Sequence, residues 1–113
     1  MIAQQQEQYD EAILYFMEAI SIWKKAQDWY KFASASYLLG NILVSQGNAE
    51  GMTFLIKGFI IDFENHQEFL NMYIKTFKEI LQVVGEEPFS AIWKEVTGSE
   101  FAGEIRDVIV KDE

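Results

Sequence analysis

Proline occurs only once in this chain, at position 88, and this constrains the fold more than any other feature. Proline removes a backbone donor and clashes with the preceding helical turn, so its absence leaves the first 84 residues able to form long helices. Short turn signals divide those residues, and apolar side chains between them recur three or four positions apart. That period is typical of one face of an amphipathic helix. We therefore predict an all-α, antiparallel array of helix pairs with five to six helices.

Turn and capping residues predict where the helices begin and end. Asp28 is expected to cap the second helix, and Gly47 with Asn48 to separate the second from the third. Asn65 followed by Glu68 resembles a capping box for the fourth helix. More than two thirds of the residues should be helical. The predicted helical segments are 6–26, 29–46, 49–64, 66–84, 88–96 and 100–108. The last of these is weak, and residues 107–110 are equally compatible with an extended tail.

Composition predicts one folded domain spanning 1–113. Half of the 113 residues are apolar and 15% are aromatic, which is enough for one core, whereas a second domain would not fit. The chain carries 18 acidic and nine basic side chains, a formal net charge of −9. Nucleic acids and anionic membranes need a basic surface, so neither is an expected partner. Such acidity usually reflects only a solvated surface. The more specific alternative is that the chain binds a basic partner.

No constellation of catalytic or metal-ligating residues stands out in the sequence. The sole histidine, His66, lies in a predicted turn with no nucleophile or metal-binding spacing around it. Acidic groups at 7–11, 62–64 and 100–107 are explained more simply as solvated helix faces. The chain has no cysteine, no calcium-type acidic loop and no glycine-rich phosphate loop. We therefore expect a protein that is not an enzyme and has no catalytic site, no metal site and no cofactor.

The sequence also has no pattern typical of a membrane span or a signal peptide. The most apolar run, 52–63, contains Lys57 and Asp62, so it is too short and too charged to cross a bilayer. The first nine residues are rich in glutamine and lack the basic and apolar regions of a signal peptide. A cytoplasmic location is the resulting expectation.

Residues 8–20 carry a recognisable helical motif. Tyr9, Ala12, Phe16 and Ala19 alternate large and small side chains at helical spacing, and this segment resembles the second helix of a tetratricopeptide repeat. Residues 37–43, which include Gly40, resemble the end of the family's first helix, and 46–48 its tight turn. The resemblance covers 8–64, with a period longer than the roughly 34 residues typical of the family. Residues 66–113 then correspond to a degenerate repeat and a C-terminal cap.

The resemblance implies a tetratricopeptide-like solenoid that acts as a protein-binding scaffold. First helices line the groove in that family, which places three residues of the second predicted helix and three of the fourth on the groove surface. The family's clamp for a terminal carboxylate is not supported, because only one of its residues is matched. The alternative is a structural or regulatory segment of a larger assembly that binds no free ligand. The predicted partner-binding residues are Ser34, Tyr37, Asn41, Ile74, Phe77 and Lys78.

The first predicted helix is apolar around much of its circumference. A helix at the end of a stack normally has a broad polar face, and this one has only a narrow polar stripe. We therefore expect a homodimer that packs through this helix, because an uncovered apolar surface of that size is unusual for a monomer. The alternative is that the chain is a fragment of a longer repeat array. The predicted self-association residues are Ile13, Met17, Ile20 and Trp23.

Overall fold

The computed structural model describes residues 2–65 and 67–110, with side chains from residue 7 onward. Helices account for well over two thirds of these residues, and no strand occurs among them, which confirms the all-helical prediction. The six helices agree in number with the upper limit that the sequence predicts. They are α1 (Ile2–Ala26), α2 (Trp29–Ser45), α3 (Glu50–Asn65), α4 (Leu70–Val84), α5 (Glu86–Thr97) and α6 (Gly103–Val110).

The turns on either side of α2 follow the predicted capping chemistry. The Asp28 carboxylate accepts a hydrogen bond from the backbone N–H of Lys31 at 3.1 Å, which caps α2. Gly47 has φ 76°, a left-handed conformation that glycine adopts without strain. The Asn48 side chain accepts from the backbone N–H of Glu50 at 2.9 Å and so starts α3. These local signals therefore fix an antiparallel arrangement of α1, α2 and α3 along the chain.

The predicted capping box before α4 is wrong. Asn65 donates its side-chain amide backwards to the carbonyl of Ile61 at 2.7 Å, and α4 begins only at Leu70. The carboxylate of Asp62, which is fully buried, instead accepts from the backbone N–H of Phe69 with both oxygens at 3.1 Å. A side chain of α3 thus satisfies the backbone at the start of α4. His66 lies outside the described residues.

The last two helices are displaced from their predicted bounds. Helix α5 begins at Glu86, so Pro88 is its third residue. The first four backbone N–H groups of a helix have no intrahelical acceptor, so a proline at this position removes no hydrogen bond. Helix α6 begins at Gly103 and includes 107–110, so the extended-tail alternative is wrong. A bidentate ion pair joins the two helices: the Arg106 guanidinium donates to the Glu86 carboxylate at 2.7 and 2.9 Å. This contact also raises the pKa of Arg106, chiefly through the hydrogen bond to Glu86.

Small residues allow α2 and α3 to cross closely. A Cβ atom added at Gly40 would lie 2.5 Å from the Cγ atom of Leu55, and one added at Gly51 would lie 2.6 Å from the Gly40 carbonyl oxygen. At Gly58 an added Cβ would collide with the hydroxyl of Tyr73 and with Ser36. These positions form a seam in which the two backbones approach too closely for any larger side chain. The prediction that Gly40 marks a close helix crossing is confirmed.

A buried polar group accompanies this seam. Tyr73 is fully buried and donates its hydroxyl to the backbone carbonyl of Ala33 at 2.6 Å, which links α4 to α2. Burial, and then the charge of Asp62, raise the pKa of Tyr73 well above its usual range. The buried hydroxyl oxygen of Ser36 has no hydrogen-bond partner within the described part of the chain. The seam is therefore tightly packed, but one of its buried polar groups, the Ser36 hydroxyl, makes no hydrogen bond within the described residues.

Two hydrophobic cores lie on opposite sides of α3. We call them the N-terminal core, between α1, α2 and α3, and the C-terminal core, between α3, α4, α5 and α6. Ile61 of α3 packs against the first and its neighbour Ile60 against the second, so α3 belongs to both. The buried N-terminal core comprises Ile20, Phe32, Ala35, Leu39 and Leu43. The buried C-terminal core comprises Met52, Leu55, Ile56, Phe59, Tyr73, Phe77, Phe89, Trp93, Phe101 and Ile109.

Candidate functional site

Three residues predicted for the partner-binding groove share the outer face of α2. Ser34, Tyr37 and Asn41 recur at helical spacing and are all half-buried. The Tyr37 hydroxyl lies 3.1 Å from the Thr76 hydroxyl, a hydrogen bond that closes the junction between α2 and α4. Asn41 donates its amide to the carbonyl of Tyr37 at 2.9 Å. The three residues lie on one side of α2, but Ser34 lines a hollow beside α1, Asn41 lines a hollow beside α4, and Tyr37 joins α2 to α4.

The three groove residues predicted on α4 do not share a surface. Phe77 is fully buried and packs edge-on against Phe59 and Phe89, so its predicted place on the groove surface is wrong. Ile74 packs against the C-terminal core, and Lys78 lines a hollow on the opposite side of α4, towards α6. What remains between α2 and α4 is an open hollow of about 260 Å³. Its lining residues are Asn41, Val44, Thr76, Glu79, Ile80, Val83 and Val84.

A larger cleft, of about 480 Å³, lies over the outer face of α3. Ile60 and Ile61 form its floor. One wall comes from the α1–α2 corner and the other from α5, α6 and the loop between them, so five of the helices contribute to it. We call it the α3 cleft. Its lining residues are Lys24, Trp29, Phe32, Lys57, Ile60, Ile61, Glu64, Trp93, Val96, Thr97, Ser99, Glu100 and Ile105.

The α3 cleft exists because the two cores do not meet over this face of α3. Trp29 packs edge-on against Phe32 at 5.8 Å between ring centroids, which holds it in the first wall. Trp93 packs against Phe101 at 5.2 Å in the opposite wall. Each core thus places one tryptophan beside the gap. The result is an apolar concavity with rigid aromatic sides, within the size range of pockets that bind ligands.

Charged side chains of both signs surround the apolar floor. Lys57 and Glu64 lie two turns apart on one face of α3, about 10 Å along the helix. Glu100 pairs with Lys94 at 2.9 Å, and this hydrogen bond raises the pKa of Lys94. Within the described ranges, Lys24, Lys57 and Glu64 make no ion pair. The cleft therefore combines an apolar centre with a charged rim, as protein-binding surfaces do.

The sequence analysis did not identify the α3 cleft. Lys57 is an exposed charge within the most apolar run of the chain, and it was a local signal of an exposed face there. Trp29 and Trp93 are separated by 64 positions and come together only through packing on α3. No cluster of three potential metal-ligating side chains occurs in 2–65 and 67–110.

The residues predicted for self-association are mostly turned inwards. Ile20 is buried in the N-terminal core, so its predicted place on an outer surface is wrong, whereas Ile13 and Trp23 pack against that core and are only partly buried. Met17 is the exception and is exposed. Helix α1 instead exposes other large apolar side chains, which the sequence analysis did not select. They are Tyr9, Leu14, Tyr15 and Ile22.

Comparison of the chain with protein-family models, curated proteins and solved structures finds no match. The resemblance to tetratricopeptide repeats therefore stays a prediction based on the motif at 8–20 and the turn at 46–48. None of the helices in the described part of the chain is both long and apolar enough to cross a bilayer.

Proposed function

We propose that this chain is a non-enzymatic protein-interaction module that binds a partner segment in the α3 cleft. The observation that carries the proposal is the cleft itself, with its apolar floor, a tryptophan in each wall and charges of both signs on its rim. Interfaces of this kind derive most of their affinity from one or two apolar anchors in a central pocket. The tetratricopeptide resemblance independently favours protein binding.

The cleft suits a peptide with a large apolar anchor side chain and charged neighbours. Ile60 and Ile61 would contact the anchor and Trp29 would cover one side of it, while Trp93, which is 3% exposed, would contribute only its edge on the other side. Lys57 would pair with an acidic residue of the peptide. Rim charges set orientation and specificity more than affinity, so the anchor should be the constant feature of bound sequences.

A displayed library of random peptides, selected against the full chain, tests the proposal. We expect enriched sequences to share a large aliphatic or aromatic residue. Ser99→Trp should abolish their binding, because it places a large side chain at the exposed rim. Lys57→Glu should weaken peptides with an acidic neighbour about tenfold, the scale of one charge-assisted contact. Lys75→Glu makes the same charge change at an exposed position outside the cleft and should have no effect.

The hollow between α2 and α4 is the second candidate for the partner site, since it contains Asn41 and the strongly exposed Val83. Val83→Glu tests it, with Gln82→Glu as the adjacent control on the α6 side of α4. Loss of binding in Val83→Glu alone would move the site to this hollow. If selected peptides bind all these variants equally, their site is neither the α3 cleft nor this hollow, and the proposal is refuted. If no peptide is enriched, the alternative of a structural segment is favoured.

A further inference from the structure

A second surface, distinct from the α3 cleft, covers one side of the α1–α2 pair. Tyr15 and Ile22 lie two turns apart on α1, exposed by 68% and 50%, and Tyr30 and Leu38 lie two turns apart on α2, exposed by 52% and 45%. Between them is a shallow hollow of about 180 Å³. We call this surface the α1–α2 face. Four large apolar side chains grouped in this way are more than a monomer usually exposes in one place.

We propose that the α1–α2 face binds the same face of a second copy of this chain, related by a two-fold axis. The occupant is argued from the arrangement of the face. Because α1 and α2 are antiparallel, Tyr15 and Leu38 line one end of the hollow and Trp23 and Tyr30 line the other, where the exposed Ile22 is next to Trp23 on α1. The small side chains of Ala19 and Ser34 line the hollow between the two ends.

A two-fold axis through the centre of this hollow makes the face complementary to itself. The rotation exchanges the two ends, so Tyr15 and Leu38 of one copy pack on Ile22 and Tyr30 of the other. In a two-fold interface each such contact occurs twice. The small residues at the centre leave room for the larger side chains on either side of the axis.

Charge is also complementary under the same rotation. Acidic Glu11 lies on α1 beyond Tyr15, at one end of the face, and basic Lys31 lies on α2 beside Tyr30, at the other end. Exchange of the ends brings Glu11 of each copy to the end of the face that carries Lys31 of the other. Within one chain, Lys31 has only a long contact to Asp28 at 3.9 Å and a cation–π contact with Trp23 at 4.5 Å, so it remains half exposed and able to pair.

The buried area is sufficient for a specific interface. A large side chain has about 200 Å² of surface, so four of them, each about half exposed, would remove about 400 Å² per copy from water. Two copies give about 800 Å² from these side chains alone. With the polar residues around them the total exceeds the roughly 1,000 Å² that a specific interface requires.

Light scattering on the full chain at micromolar concentrations tests the proposal. We expect a mass of twice 13.1 kDa, and we expect Ile22→Glu and Leu38→Glu each to raise the dissociation constant at least tenfold. Met17→Glu is the matched control, because Met17 is exposed on α1 but projects from the opposite side of the helix to Tyr15, whereas Ile22 shares the side of Tyr15. Circular dichroism of each variant establishes that the helices are retained, which these exposed positions should allow.

A charge exchange then tests the two-fold arrangement itself. Glu11→Lys and Lys31→Glu should each weaken the dimer, and the double variant should restore it to within about threefold of the original, because the pair is remade with reversed signs. A mass of 13.1 kDa at 100 µM would overturn the proposal. A dimer that Met17→Glu dissociates and Leu38→Glu leaves intact would also overturn it. Neither result affects peptide capture by the α3 cleft, which is measured separately.

Discussion

The close crossing of α2 and α3 predicts that Gly51→Ala destabilises the fold, although alanine favours helices more than glycine does. The added methyl group would lie 2.6 Å from the Gly40 carbonyl oxygen and 2.8 Å from the backbone nitrogen of Val44. Both are backbone atoms, so neither can rotate away as a side chain would. Relief of the contact requires that the two helices move apart along the seam.

The magnitude follows from two opposing effects. Replacing glycine by alanine inside a helix stabilises it by about 1 kcal/mol. Forcing an extra methyl into a packed interface costs about 1–3 kcal/mol, and the backbone neighbours of Gly51 place this substitution at or above the upper end. We expect a net loss of about 2 kcal/mol in the free energy of unfolding, or about 8 °C in Tm.

Urea unfolding followed by the helical circular dichroism signal measures this loss. Gly47→Ala is the control, because no atom lies within 4 Å of its added methyl group and only its φ of 76° opposes the change, at about 1 kcal/mol. We therefore expect Gly51→Ala to be the less stable variant of the two. A Gly51→Ala protein as stable as the original would show that the helices separate without cost and would refute the account of the seam.

Three further predictions concern buried and paired polar groups. Asp62→Asn should lower the free energy of unfolding, measured in urea, by about 1–3 kcal/mol. The amide keeps one acceptor oxygen but replaces the other with an NH2 group, which cannot accept a hydrogen bond at the start of α4. The raised pKa of Tyr73 means that, above about pH 10, the unfolded chain loses this proton while the folded chain retains it, so stability should fall as pH rises from there. Tyr73→Phe should be less stable at neutral pH but lose less stability at about pH 11, measured by urea midpoints. Arg106→Ala should speed amide exchange across α6 while changing global stability by less than about 1 kcal/mol, because its ion pair with Glu86 is partly exposed.

Local chemistry determined most of the helix boundaries, and these were predictable. Asp28, Gly47 and Asn48 act on residues within three positions of themselves, so the sequence reveals them directly. The start of α4 was missed because its backbone partner, Asp62, lies seven positions from Phe69 and inside the preceding helix. Such a contact depends on how two helices pack, which the pattern of capping residues does not report.

The candidate sites were less predictable, since they depend on which face of each helix meets a neighbour. Helical periodicity indicates only that Ser34, Tyr37 and Asn41 lie on one side of α2, and Phe77, which was assigned to the groove by resemblance alone, lies in the core. On α1, apolar residues surround most of the helix, so the sequence could not show that Ile20 would face α2 and Tyr15 would face outwards. The α3 cleft required the packing of three separate segments.

The division of the interior into two cores has a consequence for how the molecule responds to binding. Parts of a folded protein open locally, with free energies below that of global unfolding. The α3 cleft lies on the boundary, with Trp29 on one side and Trp93 on the other. An occupant of the cleft touches both halves and stabilises each of them through mass action. Hydrogen exchange should then slow in α2 and in α5 together, on both sides of the cleft.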